Sequence, residues 1–168
     1  MTSFLRLRGH MEMQVTIRNA GEQDLDMIIE LWKELMDFHK IRDQHFSRSS
    51  DGHEKFMEFI SGHIASETSK VLVAEHDGII VGYCLASISN YPPVFENKEY
   101  GSIADLAVTE SYRRTGVGEK LCQEIQKWFK EQKIQRIELR VAVTNEVSTS
   151  FWRKMGYRPY IEILYKKI

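Results

Sequence analysis

The chain reads as one α/β domain, an α+β arrangement in which a mixed, twisted sheet carries helices on both faces. Three observations lead there. The chain has 168 residues, 42% hydrophobic and 28% charged, which is the make-up of a single globular domain. Short apolar runs with a strand period alternate with longer runs in which apolar residues recur at i, i+3 and i+4. An Asp77-Gly78 pair between two apolar runs marks a tight hairpin, so antiparallel neighbours sit beside the crossovers that helices make. No repeat, low-complexity stretch or Pro/Gly/Ser linker divides the chain.

Taken in order, residues 1–14 carry basic side chains but no apolar core or cleavage site of a secretory signal; they are expected to be a flexible extension, and 15–168 the domain. Val15 to Arg18 is a short strand. Asp24 is a candidate N-cap for a helix whose apolar face holds Leu25, Ile28, Ile29, Trp32, Leu35 and Met36. Polar residues from Lys40 to Asp51 interrupt it, and a second helix runs from about His53 to Glu67 with Phe56, Ile60 and Ile64 on one side. Strands are expected over Val71 to Glu75 and Ile79 to Ser89, ended by Tyr91-Pro92-Pro93 because proline cannot donate to a ladder. Ser102 to Val108 is the next strand and Arg113 to Gly118 a loop. Val117, Leu121, Cys122, Ile125, Trp128 and Phe129 form one face of a helix. Ile137, Leu139, Val141 and Val143 alternate with charged residues in a half-buried strand; Asn145 caps a helix ending near Gly156, and a last strand spans about Tyr157 to Lys166. The expected order is β-α-α-β-β-β-α-β-α-β.

Composition removes several function classes. Lys plus Arg is 23 and Asp plus Glu is 24, a formal net charge of -1, which disfavours a polycation that coats nucleic acid or anionic membrane. No apolar run reaches the roughly 18 residues of a membrane-spanning helix. Cys84 and Cys122 lie in apolar stretches without metal-ligand spacing, as reduced core residues of a cytoplasmic protein would. The six His pair with no Cys or Asp in a ligand pattern, so no metal is expected.

The chemically informative stretch runs from Leu106 to Gly118. An apolar strand enters a loop holding Arg113, Arg114, Gly116 and Gly118, and the loop enters a helix. Backbone N–H groups at a helix start lack intrahelical acceptors and point outward with the positive end of the dipole. Glycines leave room for a group to approach, arginines add charge, and such a loop suits a pyrophosphate. A plain solvated turn would have the same composition. Two named phosphate loops do not match: Lys120 follows Glu119 rather than glycine, and Leu121 stands where the last glycine of a dinucleotide fingerprint would be.

The loop resembles the Gln/Arg-x-x-Gly-x-Gly/Ala motif of the GCN5-related N-acetyltransferase (GNAT) superfamily, matched by Arg113, Gly116 and Gly118. The resemblance extends to the strand Ile103 to Val108, to the Asp77-Gly78 hairpin with Val81, Gly82 and Tyr83, and to the stretch from Asn145 through Phe151 to Tyr157. It covers about Val15 to Lys166 and implies that family's fold, in which the fourth and fifth strands splay apart around acetyl-CoA. On that resemblance Leu106, Ala107 and Val108 would bind the cofactor, Leu106 and Val108 pairing with the pantetheine arm. Amides of Arg114, Thr115, Gly116, Val117, Gly118 and Glu119 would hold the pyrophosphate, and Arg113 would lie beside them. A backbone N–H near Val108 would stabilise the oxyanion of acyl transfer. Asn145 would sit beside the pantetheine or acetyl end, although asparagine is also a preferred N-cap, and Trp152 would likewise contribute to cofactor binding.

Direct transfer to an amine needs a proton acceptor. Asp105, an acid inside an apolar strand beside the carbonyl site, is the first candidate; an outward-facing or paired Asp is the plainer reading, and Glu75 and Glu110 are weaker candidates. Where many relatives carry a tyrosine that protonates the departing sulfur, this chain has Trp152, which cannot act as an acid; Tyr157, Tyr160 or solvent are the remaining sources. Ser148 replaces the family's alanine. His39, Arg42, Asp43, His45 and Arg48 fall in the segment that lines the family's acceptor pocket, and do not choose between acceptors.

Two functions follow as expectations. One is an acetyl-CoA-dependent N-acetyltransferase acting on a primary amine of a small molecule, a polyamine or a protein. The other is a non-catalytic acyl-CoA-binding regulatory module. Neither involves nucleic acid or membrane. The alternation of Ile161, Ile163 and Tyr165 would suit a homodimer edge.

Overall fold

The computed structural model describes residues 14–168; the expected extension over residues 1–14 lies outside them apart from Gln14. The elements are β1 (Thr16–Asn19), α1 (Leu25–Arg42), α2 (Gly52–Ile64), β2 (Ser69–His76), β3 (Ile79–Asn90), β4 (Glu99–Val108), α3 (Val117–Glu131), β5 (Ile137–Leu139) and α4 (Glu146–Lys154). The strands form one sheet in the order β1-β2-β3-β4-β5. β1 to β4 are antiparallel neighbours, and β5 joins β4 in parallel, so the sheet is mixed, as α3 crossing over between β4 and β5 requires.

The turn between β2 and β3 has Asp77 at φ 50° and Gly78 at φ 77°, the two left-handed residues that a two-residue hairpin matching strand twist demands. Val71, Leu72, Val73 and Ala74 are all buried, because helices cover both faces of the sheet. On one face Val71, Val73, Tyr83, Leu85 and Ala107 pack under Ile28, Ile29 and Trp32 of α1 and Phe56 and Ile60 of α2. Trp32 and Phe56 stack with ring centroids 4.5 Å apart. On the other face Leu72, Ala74, Cys84 and Ile103 pack under Leu121, Ile125, Trp128 and Phe129 of α3. Cys84 and Cys122 are free and buried.

Three expectations need correction. Asp24 stands at the N-cap position of α1 as expected, but it also ends a short 3-10 turn and its side chain makes no capping bond to α1. Its carboxylate instead takes two bonds from Arg18, at 2.7 and 2.9 Å, and one from the Gly21 amide at 2.9 Å. The strand expected over residues 137–143 stops at Leu139, and Val143 is exposed, because β4 leaves its neighbour at that level. The expected last strand over Tyr157 to Lys166 forms no ladder. Ile161, Ile163 and Tyr165 are exposed; alternation gave the segment two faces, but a β5 of three residues presents little edge to pair with.

Candidate active site

The site grows out of one irregularity in β4. Its register with β3 shifts where Ala86 pairs with Ile103 and Leu85 pairs with Asp105, so Ala104 is an extra residue, a β-bulge. Before the bulge the Gly101 amide bonds the Arg136 carbonyl at 2.8 Å, and Gly101 and Ile103 direct their polar groups toward β5. After it the Thr109 amide bonds the Val81 carbonyl at 2.9 Å. By alternation Asp105 and Ala107 then bond β3, and Leu106 and Val108 point to the opposite edge. Pairing with β5 ends at Ile103, so that edge is open. The expected splay between the fourth and fifth strands is present, and the bulge creates it. Within the expected run of three, Leu106 and Val108 reach the open edge, while Ala107 is buried with its backbone turned to β3.

β4 leads through a 3-10 turn, Glu110–Tyr112, into the loop. Arg113 turns back, its Nε donating to the Val108 carbonyl at 3.0 Å, which ties the loop to the open edge and leaves the Val108 N–H available. Arg114 is at φ 62° and Gly116 at φ 90°, and the Thr115 hydroxyl bonds the Tyr112 carbonyl at 2.6 Å. Gly116 is the N-cap of α3 and gives no side-chain cap. The first amides of the helix therefore have no partner from it. A Cβ on Gly116 would meet nothing within 4 Å, so the space beside the loop is open. Gly118 differs in its surroundings: a Cβ there would stand 3.4 Å from the Phe151 ring and 3.5 Å from Leu106, ordinary contact distances, so this position faces α4 and β4 rather than open space. Glu119 pairs with Lys154 of α4.

Asp105 lies on the face covered by α1 and α2. The buried Tyr83 donates its hydroxyl to Asp105 Oδ2 at 3.0 Å. Burial pushes the Asp105 carboxyl above the usual carboxylate range, and the Tyr83 bond partly opposes this. Glu75 is held by Arg18 at 2.7 Å where β2 pairs with the edge strand β1, and Glu110 is exposed after the end of β4, so Asp105 alone of the three candidates belongs to the open stretch. Asn145 is buried; it caps α4 by accepting from the Ser148 amide at 3.2 Å and donates to the Ser148 hydroxyl at 2.8 Å. Trp152 packs edge-on against Phe151 and Tyr157. The Tyr157 hydroxyl is turned to Gln126 of α3 at 3.4 Å, and burial raises its pKa further. Tyr160 lies over the Arg136 guanidinium. His39 is kept below the usual imidazole range by burial and by Arg42.

Sequence reasoning missed Tyr83 as the partner of Asp105 and the return of Arg113 to Val108. The Asp77-Gly78 turn sets only the β2–β3 register; the β3–β4 register that brings Tyr83 to Asp105 has no local signal in the sequence. Among the described residues, no three or more His, Cys, Asp or Glu side chains converge as metal ligands, and no helix is long and apolar enough to cross a membrane.

Comparison with known proteins agrees with this architecture. The model of the acetyltransferase (GNAT) family matches residues 28–157. An uncharacterised N-acetyltransferase of Archaeoglobus fulgidus is 30% identical over 142 residues, 84% of this chain and 92% of that protein. An N-alpha-acetyltransferase of Sulfurisphaera tokodaii is 31% identical over 105 residues, 60% of this chain and 63% of that protein. Among solved structures, a tetramutant of the BH1408 protein of Bacillus halodurans superposes with a TM-score of 0.81 at 24% identity, over 91% of this chain and 99% of that one. An aminoglycoside N-acetyltransferase in complex with CoA superposes with a TM-score of 0.74 at 18% identity, over 92% and 95% of the two chains.

Proposed function

The chain belongs to the acetyltransferase (GNAT) family and is an N-acetyltransferase, and we propose that it moves an acetyl group directly from acetyl-CoA to a primary amine, with Asp105 as proton acceptor. The observation that carries this reading is the open edge of β4 at Leu106 and Val108, continuous with the left-handed Gly116 turn and the free amides of α3. The edge suits a chain that accepts and donates amide hydrogen bonds like an added strand. The amides from Arg114 to Glu119, with the open space beside Gly116, suit a pyrophosphate. These residues fit acetyl-CoA, which would supply an activated acetyl thioester.

The protein's part is positioning, proton transfer and charge stabilisation. The Val108 N–H, with its own carbonyl held by Arg113, stands ready to bond the oxygen that gains negative charge as the amine adds. Asp105 accepts the proton that the amine must lose; a lysine-like amine has a pKa near 10.4 and is mostly protonated near neutral pH. Asp105 and Val108 are three positions apart along the strand, about 10 Å, so a water relay fits between them. A thiol of pKa near 8.5 leaves as a tolerable thiolate, so a protein acid is not required where Trp152 stands.

The acceptor belongs to the broad class of small-molecule, polyamine or protein amino groups. The names of the similar proteins point in different directions, to α-amino groups in one and aminoglycosides in another. One feature favours a non-catalytic acyl-CoA-binding module instead: Trp152, which leaves no phenol at that position. Asp105→Asn separates the readings. It should slow transfer to the best amine acceptor at least a hundredfold while acetyl-CoA affinity stays near wild type. An unaltered rate and pH profile would remove Asp105 as the base.

A further inference from the structure

We propose that Tyr83 is a positioning residue for acyl transfer: its buried hydroxyl fixes one oxygen of Asp105, leaving the other oxygen to take the amine's proton. The proposal rests on the reading of Asp105 as the base.

Tyr83 is fully buried in β3, and its hydroxyl has Asp105 Oδ2 as its bonding partner at 3.0 Å. Buried phenols carry a partner because an unmet hydroxyl is costly. A serine, a backbone carbonyl or water would have met that need at less risk than a carboxylate in an apolar layer. The pair is diagonal, Tyr83 opposite Ala107 and Asp105 opposite Leu85, and the bulge at Ala104 sets the side-chain phase of β4 that puts Asp105 on the Tyr83 face. The same irregularity opens the β4 edge and completes this pair, so the binding edge and the proton acceptor are built together.

The surroundings define what the hydroxyl must do. Among the described residues Asp105 forms no ion pair. β3 brings the Tyr83 phenol and the Cys84 thiol, both held protonated by burial. Cys122 of α3 lies on the opposite face of the sheet with Cys84, also protonated. α1 covers the Asp105 face with Ile28, Leu31, Trp32 and Leu35, and its ionisable His39 and Arg42 follow one and two turns beyond Leu35. With no cation among the described residues bonded to it, the Asp105 carboxyl is pushed upward by burial. The Tyr83 donor opposes that shift and occupies Oδ2, so Oδ1 is the free acceptor.

The test compares wild type, Tyr83→Phe and Asp105→Asn on the full chain. One readout is the carboxyl carbon resonance of Asp105 followed against pH, which needs no acceptor. The other is thiol release from acetyl-CoA against pH with the primary amine that turns over fastest. Tyr83→Phe should raise the Asp105 midpoint by about one pH unit, lower the rate about tenfold on the acid side, and leave the alkaline plateau and KM for acetyl-CoA unchanged. If Tyr83→Phe does not fold, 3-fluorotyrosine at position 83, a stronger donor of nearly the same shape, should move the midpoint the opposite way. An Asp105 midpoint indifferent to both changes would overturn the positioning role while Asp105→Asn still removes the acid limb. An acid limb that survives in Asp105→Asn would overturn the base itself, and the proposal with it.

Discussion

Gly116 offers the sharpest separation of charge from shape. Its φ is 90° with ψ -4°, a conformation that costs an ordinary L-residue about 1–2 kcal/mol, and Asn or Asp less. Nothing lies within 4 Å of the Cβ that a substitution would add, so Gly116→Asn and Gly116→Asp share the same backbone strain and the same freedom from clash. The difference between them is one negative charge at the loop. Two unit charges about 4 Å apart repel by about 1 kcal/mol in bulk water and about 4 kcal/mol at an effective dielectric of about 20. CoA should therefore bind Gly116→Asp between about 5-fold and 1,000-fold more weakly than Gly116→Asn. Stability moves the other way. Both residues are good N-caps, and an acid at the start of α3 suits the helix dipole, so the Asp variant should melt no lower than the Asn variant. Weaker binding would then not come from a damaged fold. Calorimetric titration of CoA at about 0.1 M and about 1 M salt adds a second handle, since the Debye length falls from about 10 Å to about 3 Å and the Asp/Asn ratio should shrink with it. Equal CoA affinity for the two variants at the lower salt would refute the loop as a phosphate cradle.

Two further outcomes test the frame that holds the loop. A Cβ on Gly101 would stand 2.6 Å from two atoms of the Phe129 ring. Gly101→Ala should cost about 1–3 kcal/mol by overpacking, lowering Tm by about 2–4 °C for each kcal/mol in a chain of this size; an unchanged Tm would mean that α3 does not lie against β4 there. Asp24 has a side chain only 5% exposed and two bonds from Arg18, and the Arg18 bonds hold its carboxyl below the ordinary value. A carboxyl depressed by folding contributes stability that is complete above its unfolded pKa, near 3.9, and lost as pH falls through the folded one. Asp24→Asn should therefore cost about 3 kcal/mol in urea unfolding at pH 7, for breaking a largely buried pair. The gap from wild type should stay level down to about pH 4 and close only below it. A gap that already closes between pH 8 and pH 5 would assign the effect to another group.

Much of this architecture is legible in the residues because the signals are local. Val117, Leu121, Cys122, Ile125, Trp128 and Phe129 are all buried along α3, as their spacing predicts, and the Asp77-Gly78 turn has the dihedrals its composition demands. What escaped is decided at long range. The bulge at Ala104 is a single inserted residue with no mark in composition, yet it decides which backbone groups reach the open edge and where β5 stops. Asp24 has the chemistry of a helix cap, but a guanidinium six residues earlier in the chain outcompetes the helix amides for it. Tyr83 and Asp105 are 22 residues apart, and their meeting depends on the register of β3 with β4 and on the bulge within it. Residues 157–168 show the limit of alternation: two chemically distinct faces specify a strand only where a neighbouring edge exists to pair with.

The central claim is tested most directly by titrating acetyl-CoA into the purified chain and then following free thiol against a panel of primary amines drawn from polyamines, aminoglycosides and peptides with a free α-amino group. Saturable binding, with thiol appearing only when an amine is present and acetyl recovered on that amine, is the predicted result. Failure to bind acetyl-CoA would contradict the assignment of the β4 edge and the Gly116 loop, and binding without thiol release from any of these amines would contradict transfer and leave an acyl-CoA-binding module in its place.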